Sequence, residues 1–415
     1  MKRDFPLTAG QLAGYDLFAK FYLDPLENVM LLKGYSGTGK STLVSHMLEQ
    51  LPKLNSLMKM VDPGFVPWDF QLTATTNKAA EALMINSGCA DVRTIHSYLG
   101  LRVQTNYQTG KTFIQPIPGK DPVSRTLIFI DEASFVDQTL LKFIFERTED
   151  CKLVFIGDPA QLTPVGATYM PAFNMSKNQI ELTEPVRQDD SSPLKPLIEA
   201  LRQTVLGGPW PKFELYPGVI EKVDQKTFQD RLFLAFANEK NTSIKALAYT
   251  NKTVIAYNEL LSRQVKGTSE PAEGDYMVVN KAVNNKASKC NTEEEVLITS
   301  IAEDTEYEVE GWTVRLSGKG GSYFMPRSRD LAKIRLKQAQ AGEEWHAMEI
   351  ITDTWIDLRP AFACTVNKSQ GSTYDIGFID LNDMGKIRTG NQLARALYVG
   401  ISRFRRQVTF TGDIA

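Results

Sequence analysis

The run Gly34-Tyr35-Ser36-Gly37-Thr38-Gly39-Lys40-Ser41-Thr42 has the spacing G-x-x-x-x-G-K-[ST], and the chemistry open to it is the holding of a polyphosphate. Glycines let the backbone curl so that successive N–H groups and a helix N-terminus face phosphate oxygens. Lys40 adds a point charge for the outer phosphates, and Ser41 offers a hydroxyl to Mg²⁺. An apolar stretch at 29–32 precedes the glycines and a helix-compatible one at 43–51 follows, which is the strand-loop-helix context the pattern requires.

Two further groups suit the same chemistry. Asp131-Glu132-Ala133-Ser134 closes the apolar run 126–130. There Asp131 can hold Mg²⁺ and Glu132 can orient or deprotonate a water, although two isolated carboxylates could equally cap the next helix. Gly157-Asp158-Pro159-Ala160-Gln161 closes the run 153–156, and Gln161 is placed to touch a γ-phosphate. Gln11 lies in a helical pattern from residue 7 to about 22, with Thr8 as its expected N-cap. Its amide could pair with adenine, while taken alone a glutamine belongs on a surface.

These residues need a sheet to hold them. Strand-like runs at 70–75, 126–130 and 153–156 alternate with helical or irregular stretches, so a mostly parallel α/β sheet is expected, with active residues at the carboxyl ends of its strands. A second sheet is expected from runs at 180–183, 246–250, 361–366, 376–381 and 408–411, with Asn251 capping the helix that follows residues 248–250. Length agrees with more than one domain: 415 residues suffice for several cores. A formal charge of −2 excludes a chain that is basic throughout, so any nucleic-acid affinity must be local. Cys89, Cys151, Cys290 and Cys364 lack metal-ligand spacing and read as reduced thiols, and no segment resembles a membrane span or a signal core. A cytoplasmic, soluble protein is expected.

The ordered set of phosphate loop, DEAS, GDPAQLTPV, Leu182-Thr183-Glu184-Pro185-Val186-Arg187, Thr365-Val366-Asn367-Lys368-Ser369-Gln370-Gly371-Ser372-Thr373 and Tyr398-Val399-Gly400-Ile401-Ser402-Arg403 resembles the motifs of superfamily 1 helicases. Within them it is most similar to the RecD-like branch, its Dda-like members in particular. The resemblance spans about residues 7 to 406. It implies two RecA-like P-loop domains with ATP in the cleft between them and single-stranded DNA across their top. It places Gln11, Gly37, Thr38, Gly39, Lys40, Ser41, Thr42 and Gly371 at ATP, Ser41 and Asp131 at Mg²⁺, and Glu132 at the attacking water. Arg187 and Arg403 become arginines that reach the γ-phosphate, a contribution of roughly 10³ to 10⁵ in rate in related systems.

For DNA, the resemblance implies contacts from Thr76, Asn77, Lys78, Thr94, His96, Thr365, Asn367 and Ser369, through hydroxyls, amides and helix N-termini. Asn367 departs from the branch, which commonly has histidine there; an amide donates to phosphate but carries no charge. His96 could alternatively be a hydrogen-bonded structural histidine. Residues 103–114 read as two strand-like pieces around Thr109-Gly110-Lys111, a β-hairpin within a 99–123 insertion. Dda-like relatives carry a pin here that meets the duplex junction, and Phe113 resembles its aromatic tip. Such stacking on a base contributes about 1–3 kcal/mol; the other reading is that Phe113 packs the hairpin onto its host. Between 267 and 359, alternation at Tyr307, Val309, Trp312, Val314 and Leu316 suggests antiparallel strands, with Gly311 at a turn or bulge. With 295–301 and 322–326 this suggests a small β-barrel, and the resemblance implies that it is SH3-like. Trp312, Trp345 and Trp355 are expected in its core.

The expected domains are 1–170 for the first RecA-like domain, with the 99–123 hairpin, and 171–266 with 360–415 for the second, interrupted by the barrel at 267–359. The function implied is an ATP-dependent, Mg²⁺-requiring DNA helicase moving 5′-to-3′, monomeric, acting on single-stranded and forked DNA in replication or recombination. The same motifs would serve a protein that uses ATP to change its grip on a single strand, or to displace bound protein, without unwinding. A nucleotide kinase also has a phosphate loop, but the second sheet ending in Arg403 and the TVNKSQG run count against it.

Overall fold

The computed structural model describes residues 6–35, 37–105, 112–164, 167, 169–184, 192–238, 243–284 and 287–414. The chain divides into two compact units, Met1–Lys195 with Glu199–Trp210, and Pro196–Ile198 with Pro211–Ala415.

The first unit is built on a six-stranded sheet. Its strands are β1 (Val29–Gly34), β2 (Asp69–Ala74), β3 (Val92–Thr94), β7 (Thr126–Asp131), β9 (Lys152–Gly157) and β10 (Gln179–Leu182), in the order β10-β1-β9-β7-β2-β3 with every pairing parallel. The helices are α1 (Ala9–Leu23), α2 (Lys40–Val61), α3 (Asn77–Ser87), α4 (Ile95–Tyr98), α5 (Gln138–Glu146) and α6 (Leu194–Val205). Both sheet faces are buried, so the strands are apolar at successive positions. Met30, Leu32, Leu127, Phe129, Val154 and Ile156 face α1 and α2, while Leu31, Ile128, Ile130, Leu153 and Phe155 face α5. Full burial of each such side chain contributes about 1.5–3 kcal/mol. Thr8 caps α1 with the reciprocal capping box, as its sequence position predicts. The far end of α1 is closed by Lys152, a buried residue whose Nζ donates to the carbonyls of Phe21, Asp24 and Glu27 at 2.9, 2.7 and 2.8 Å. Burial lowers that amine to a pKa of about 8, against the opposing charges of Asp24, Glu27 and Asp150.

A hairpin of β4 (Leu101–Thr105) and β5 (Thr112–Pro116) stands off this unit as its own two-stranded sheet, and β6 (Val123–Ser124) with β8 (Thr148–Glu149) forms another. The hairpin falls where the sequence predicts it; its loop, 106–111, lies outside the described residues.

The second unit carries a five-stranded parallel sheet in the order β11-β22-β21-β12-β20. Its strands are β11 (Ile220–Val223), β12 (Ile244–Ala248), β20 (Ala363–Thr365), β21 (Tyr374–Asp380) and β22 (Phe404–Thr411). Around it lie α7 (Gln225–Asn238), α8 (Asn251–Lys266), α11 (Val366–Ser369), α12 (Leu381–Met384) and α13 (Gly390–Ser402). Between α8 and β20 the chain inserts an antiparallel sheet. It contains β13 (Tyr276–Val279), β16 (Glu295–Glu306), β17 (Val309–Leu316), β18 (Tyr323–Pro326) and β19 (Leu358–Pro360) in the order β18-β17-β16-β13-β19, with the short pair β14 (Val283–Asn284) and β15 (Lys289–Cys290).

Several expectations are corrected here. Residues 180–183 belong to the first sheet, because β10 pairs with β1, so the first unit runs past the expected boundary at 170 to Lys195. A lone apolar run carries no sign of which sheet will pair with it. The 267–359 insertion is not wholly β: α9 (Arg329–Ala341) and α10 (Trp345–Asp353) occupy its C-terminal part, and no pairing between β18 and β19 closes a barrel among the described residues. Trp312 and Trp355 are buried in it as expected, but Trp345, at the first position of α10, is 68% exposed. Gly311 is neither a turn nor a bulge. It sits within β17, where a Cβ would meet the Met325 carbonyl at 2.4 Å, and the turn falls at Tyr307 and Glu308, both at positive φ. The cap of α8 is Thr250, one residue before the expected Asn251.

Candidate functional site

The phosphate loop links β1 to α2, and its backbone is set by sterics. Gly37 and Gly39 have φ of +88° and +78°, a region that side chains disfavour. Gly34 has no room for a side chain, since a Cβ would lie 2.7 Å from Thr38 Oγ1 and 3.0 Å from the Leu182 carbonyl. Thr38, almost fully buried, donates its hydroxyl to the Tyr35 carbonyl at 2.9 Å. Lys40 is the first residue of α2, and its Nζ donates to the carbonyls of Gly34 and Tyr35 at 2.6 and 3.0 Å. Ser41 and Thr42 follow in the first turn, with Thr42 exposed. Left-handed glycines, a 22-residue helix starting at the loop and an ammonium held beside it fit a polyphosphate.

Gln11 is not the surface residue its type suggests; it is 2% exposed. Its Nε2 donates to the Gly39 carbonyl at 3.2 Å and its Oε1 accepts from the Thr8 N–H at 3.0 Å, which ties the start of α1 to the phosphate loop.

Asp131 and Glu132 end β7, the second strand along from β1 in the sheet. Burial raises the Asp131 carboxyl above its ordinary pKa, opposed by the hydrogen bond from the Glu132 N–H and by the charge of Lys40. Glu132 has φ of +53°, which costs a non-glycine residue about 1–2 kcal/mol. It is held there by the Thr75 hydroxyl and the Phe135 N–H, which both donate to its carbonyl, at 3.1 and 3.0 Å. Strain of this kind, held by its surroundings, gathers at functional positions. Gln161 follows β9 and is buried, and its Oε1 accepts from the Ser134 hydroxyl at 3.1 Å. Close approach of the two segments explains Gly157, where a Cβ would lie 3.1 Å from the Ala133 nitrogen and 3.0 Å from the Phe173 ring. Lys40, Asp131, Glu132 and Gln161 therefore lie beyond the carboxyl ends of three adjacent parallel strands, β1, β9 and β7. Among the described residues no cluster of three His, Cys, Asp or Glu side chains could hold a metal by itself.

Thr76 and Thr94 repeat one arrangement at the ends of β2 and β3. Each is an N-cap, accepting from the N–H of Ala79 and of Ser97 at 3.1 and 3.2 Å, and the strand register sets Thr94 beside Ala74. Asn77 is exposed and Lys78 half-buried in the first turn of α3. His96 is half-buried in α4; burial lowers its pKa, and the negative charge of Asp137 opposes that shift. Phe113, cross-strand from Gln104, is 44% exposed, and the loop it approaches is not described.

The second unit repeats the threonine arrangement. Thr365 caps α11 and Thr250 caps α8, accepting from the N–H of Lys368 and of Thr253, each at 3.3 Å, and Thr365 lies in register with Ala248. Sequence reading missed Thr250 as the counterpart of Thr365. It also missed Asp383, a buried carboxylate that accepts from the N–H groups of Tyr249 and Thr250 and from the hydroxyls of Thr250 and Thr253, at 2.7 to 2.8 Å. These four donors lie 130 to 134 residues away, so the local sequence does not reveal them. Asn367 is half-buried. Ser369 is fully buried and donates to the Val366 carbonyl at 2.7 Å. Gly371 has φ of +75°. Arg403 is 7% exposed, with Nε donating to the Val399 carbonyl at 3.1 Å. Arg187 lies outside the described residues. Among the described residues no helix is long and apolar enough to cross a membrane.

Comparison with known proteins agrees with this architecture. Residues 18–207 match the family model described as AAA domain. No curated protein sequence matches the chain. Among solved structures it is similar to the Pif1 helicase from Candida albicans, with a TM-score of 0.51, 17% identity, and 99% of this chain and 95% of that one covered. Bacteroides Pif1 bound to single-stranded DNA gives 0.49, 16%, 98% and 92%. The Candida comparison shows a shared fold along nearly the whole chain.

Proposed function

We propose that this chain is an ATP-hydrolysing, Mg²⁺-dependent motor that moves 5′-to-3′ along single-stranded DNA and unwinds duplex DNA. The observation that carries the reading is the gathering of Lys40, Asp131, Glu132 and Gln161 beyond the carboxyl ends of adjacent strands, around a loop whose glycines are shaped for phosphates. When bound, Mg²⁺–ATP supplies the phosphoanhydride that is broken and a metal that draws charge off the departing phosphate. Ser41 and Asp131 hold the metal, Lys40 leaves its carbonyls for phosphate oxygens, and Glu132 orients the attacking water and accepts its proton. Gln161, braced by Ser134, reads the terminal phosphate. The roles expected of Arg187, Arg403, Gln11 and Gly371 belong to the same reading.

Threonine caps at the ends of four strands support a DNA-backbone role, because the first turns of their helices present N–H groups to phosphates. In this reading the β4–β5 hairpin is the pin that meets the duplex junction, and the antiparallel sheet within the 267–359 insertion is an SH3-like module. The fold shared with a Pif1 helicase supports a motor over a kinase. Strand separation on duplexes with a 5′ or a 3′ single-stranded tail tests the reading. ATP-dependent opening of the 5′-tailed duplex alone is expected. DNA-stimulated hydrolysis with neither duplex opened would replace it with a remodelling protein that does not unwind.

A further inference from the structure

Two buried polar atoms of the second unit meet no partner, and the residues that carry them line one cleft. The Ser262 hydroxyl, on a residue 1% exposed, makes no hydrogen bond, although a helical serine can bond back to the carbonyl four residues earlier. Arg359 Nε is likewise buried and without an acceptor. Folded proteins seldom leave such groups unpaired, so two on one cleft call for an acceptor from outside the chain.

The cleft measures about 720 Å³ and lies between α8 and the two outer strands of the antiparallel sheet, β18 and β19. Each of these strands ends in a proline, Pro326 or Pro360, which has no N–H to offer a further strand. Helical spacing puts Ile255, Asn258, Glu259 and Ser262 on the α8 wall. Asn258 commits its amide to the Ala363 backbone, donating at 3.2 Å and accepting at 2.9 Å. On the sheet side, Asp357 accepts from Arg329 Nε at 2.7 Å, from Asn280 at 2.8 Å and from Arg359 at 3.3 Å, so one carboxylate serves two guanidinium groups. The Arg329 and Arg359 side chains are 49% and 32% exposed, which leaves them within reach of a ligand. Met277, Trp312, Met325, Ile356 and Leu358 give the cleft an apolar floor. Among the described residues, five cationic and four anionic side chains line it, a surplus of one positive charge.

We propose that this cleft binds a monocarboxylate carried on an apolar body, its oxygens held by Arg359, Arg329 and Ser262 and its hydrocarbon by Met277, Trp312 and Met325. Guanidinium groups match a planar carboxylate through paired N–H donors, and a surplus of one charge suits a monoanion better than the dianion of a phosphate. A cleft of this volume accommodates a small organic acid or the last residue of a polypeptide, which share this chemistry. The site lies wholly within the second unit and does not depend on the nucleotide reading.

The test is methyl NMR of the full chain labelled at its methionines, titrated separately with hexanoate, N-acetyl-leucine, N-acetyl-leucine amide and inorganic phosphate. Of the 12 methionines, Met277 and Met325 line the cleft. Hexanoate or N-acetyl-leucine should shift these two signals saturably and leave the rest in place. Tighter binding of hexanoate assigns a free acid, and tighter binding of N-acetyl-leucine assigns a chain end. The amide and phosphate should bind at least about tenfold more weakly, and Arg359→Gln should weaken carboxylate binding by about tenfold, as for loss of a hydrogen bond to a charged group. Ser262→Ala should weaken it by about fivefold. No shift with either carboxylate, equal binding of the amide or of phosphate, or unchanged affinity in Ser262→Ala would overturn the site. Should Arg359→Gln fail to fold, Ser262→Ala carries the test alone, because it removes a hydroxyl that bonds to nothing in the chain.

Discussion

Lys40 Nζ lies 2.6 Å from the carbonyl oxygen of Gly34, the last residue of β1, so the ammonium of the phosphate loop is bonded back onto the strand that delivers it. This keeps a cation beside the loop, where its charge is felt by Asp131, and on the proposed reading a polyphosphate is the partner that would release it. Replacing Lys40 with Ala should lower ATP hydrolysis by at least about 10²-fold, on the scale of removing one preorganised charge-stabilising donor. The melting temperature should change little, because the two carbonyls it leaves are only part-buried. Full ATPase activity in Lys40→Ala would remove the nucleotide assignment.

Asp131 and Glu132 are adjacent yet differently held, so they should fail differently. On the proposed reading Asp131→Asn weakens the metal site, and its loss should be partly recovered by raising Mg²⁺. Glu132→Gln keeps the shape of the left-handed turn and removes the proton acceptor, so ATP should still bind while hydrolysis drops by about 10²- to 10⁴-fold. Equal Mg²⁺ dependence of the two variants would refute the division of roles.

Phe113, in β5, is 44% exposed. Phe113→Ala should therefore leave the melting temperature within a degree or two of wild type, on the order expected of a surface change. Unwinding of a forked duplex should fall more than translocation on a single strand. Parallel loss of both, measured by strand separation and by displacement of a bound end label, would reject the pin.

Asp383 supplies a pH signature. Burial raises its carboxyl, but Lys386 together with the Thr250 N–H and the hydroxyls of Thr253 and Thr250 outweighs that and brings the pKa to about 2, below the ordinary 3.8. A depressed folded pKa means the stabilisation is full above the ordinary value and is lost as pH falls towards 2. Asp383→Asn should cost roughly 2 kcal/mol at pH 7 in urea unfolding, and the gap from wild type should narrow between about pH 4 and pH 2. An undiminished gap at pH 2 would show that packing, not charge, explains the loss.

By itself the sequence determined the local features, because each rests on short-range sterics and periodicity. The glycines at 37 and 39, the Thr8 N-cap, the β4–β5 hairpin and the apolar runs of β7 and β9 could all be read from neighbouring residues. Tertiary structure alone decided the pairing of distant pieces. An apolar strand such as β10 carries no label for the sheet it joins, so 180–183 was assigned to the wrong one. Asp383 looks like any acidic residue until the fold brings Tyr249, Thr250 and Thr253 to it. Tyr35 reads as a filler position in its loop until Thr183 and Arg202 close around its side chain. Trp345 shows the converse. Hydrophobicity predicts burial for it and the structure leaves it 68% exposed, because burial depends on what packs opposite and no single residue encodes that.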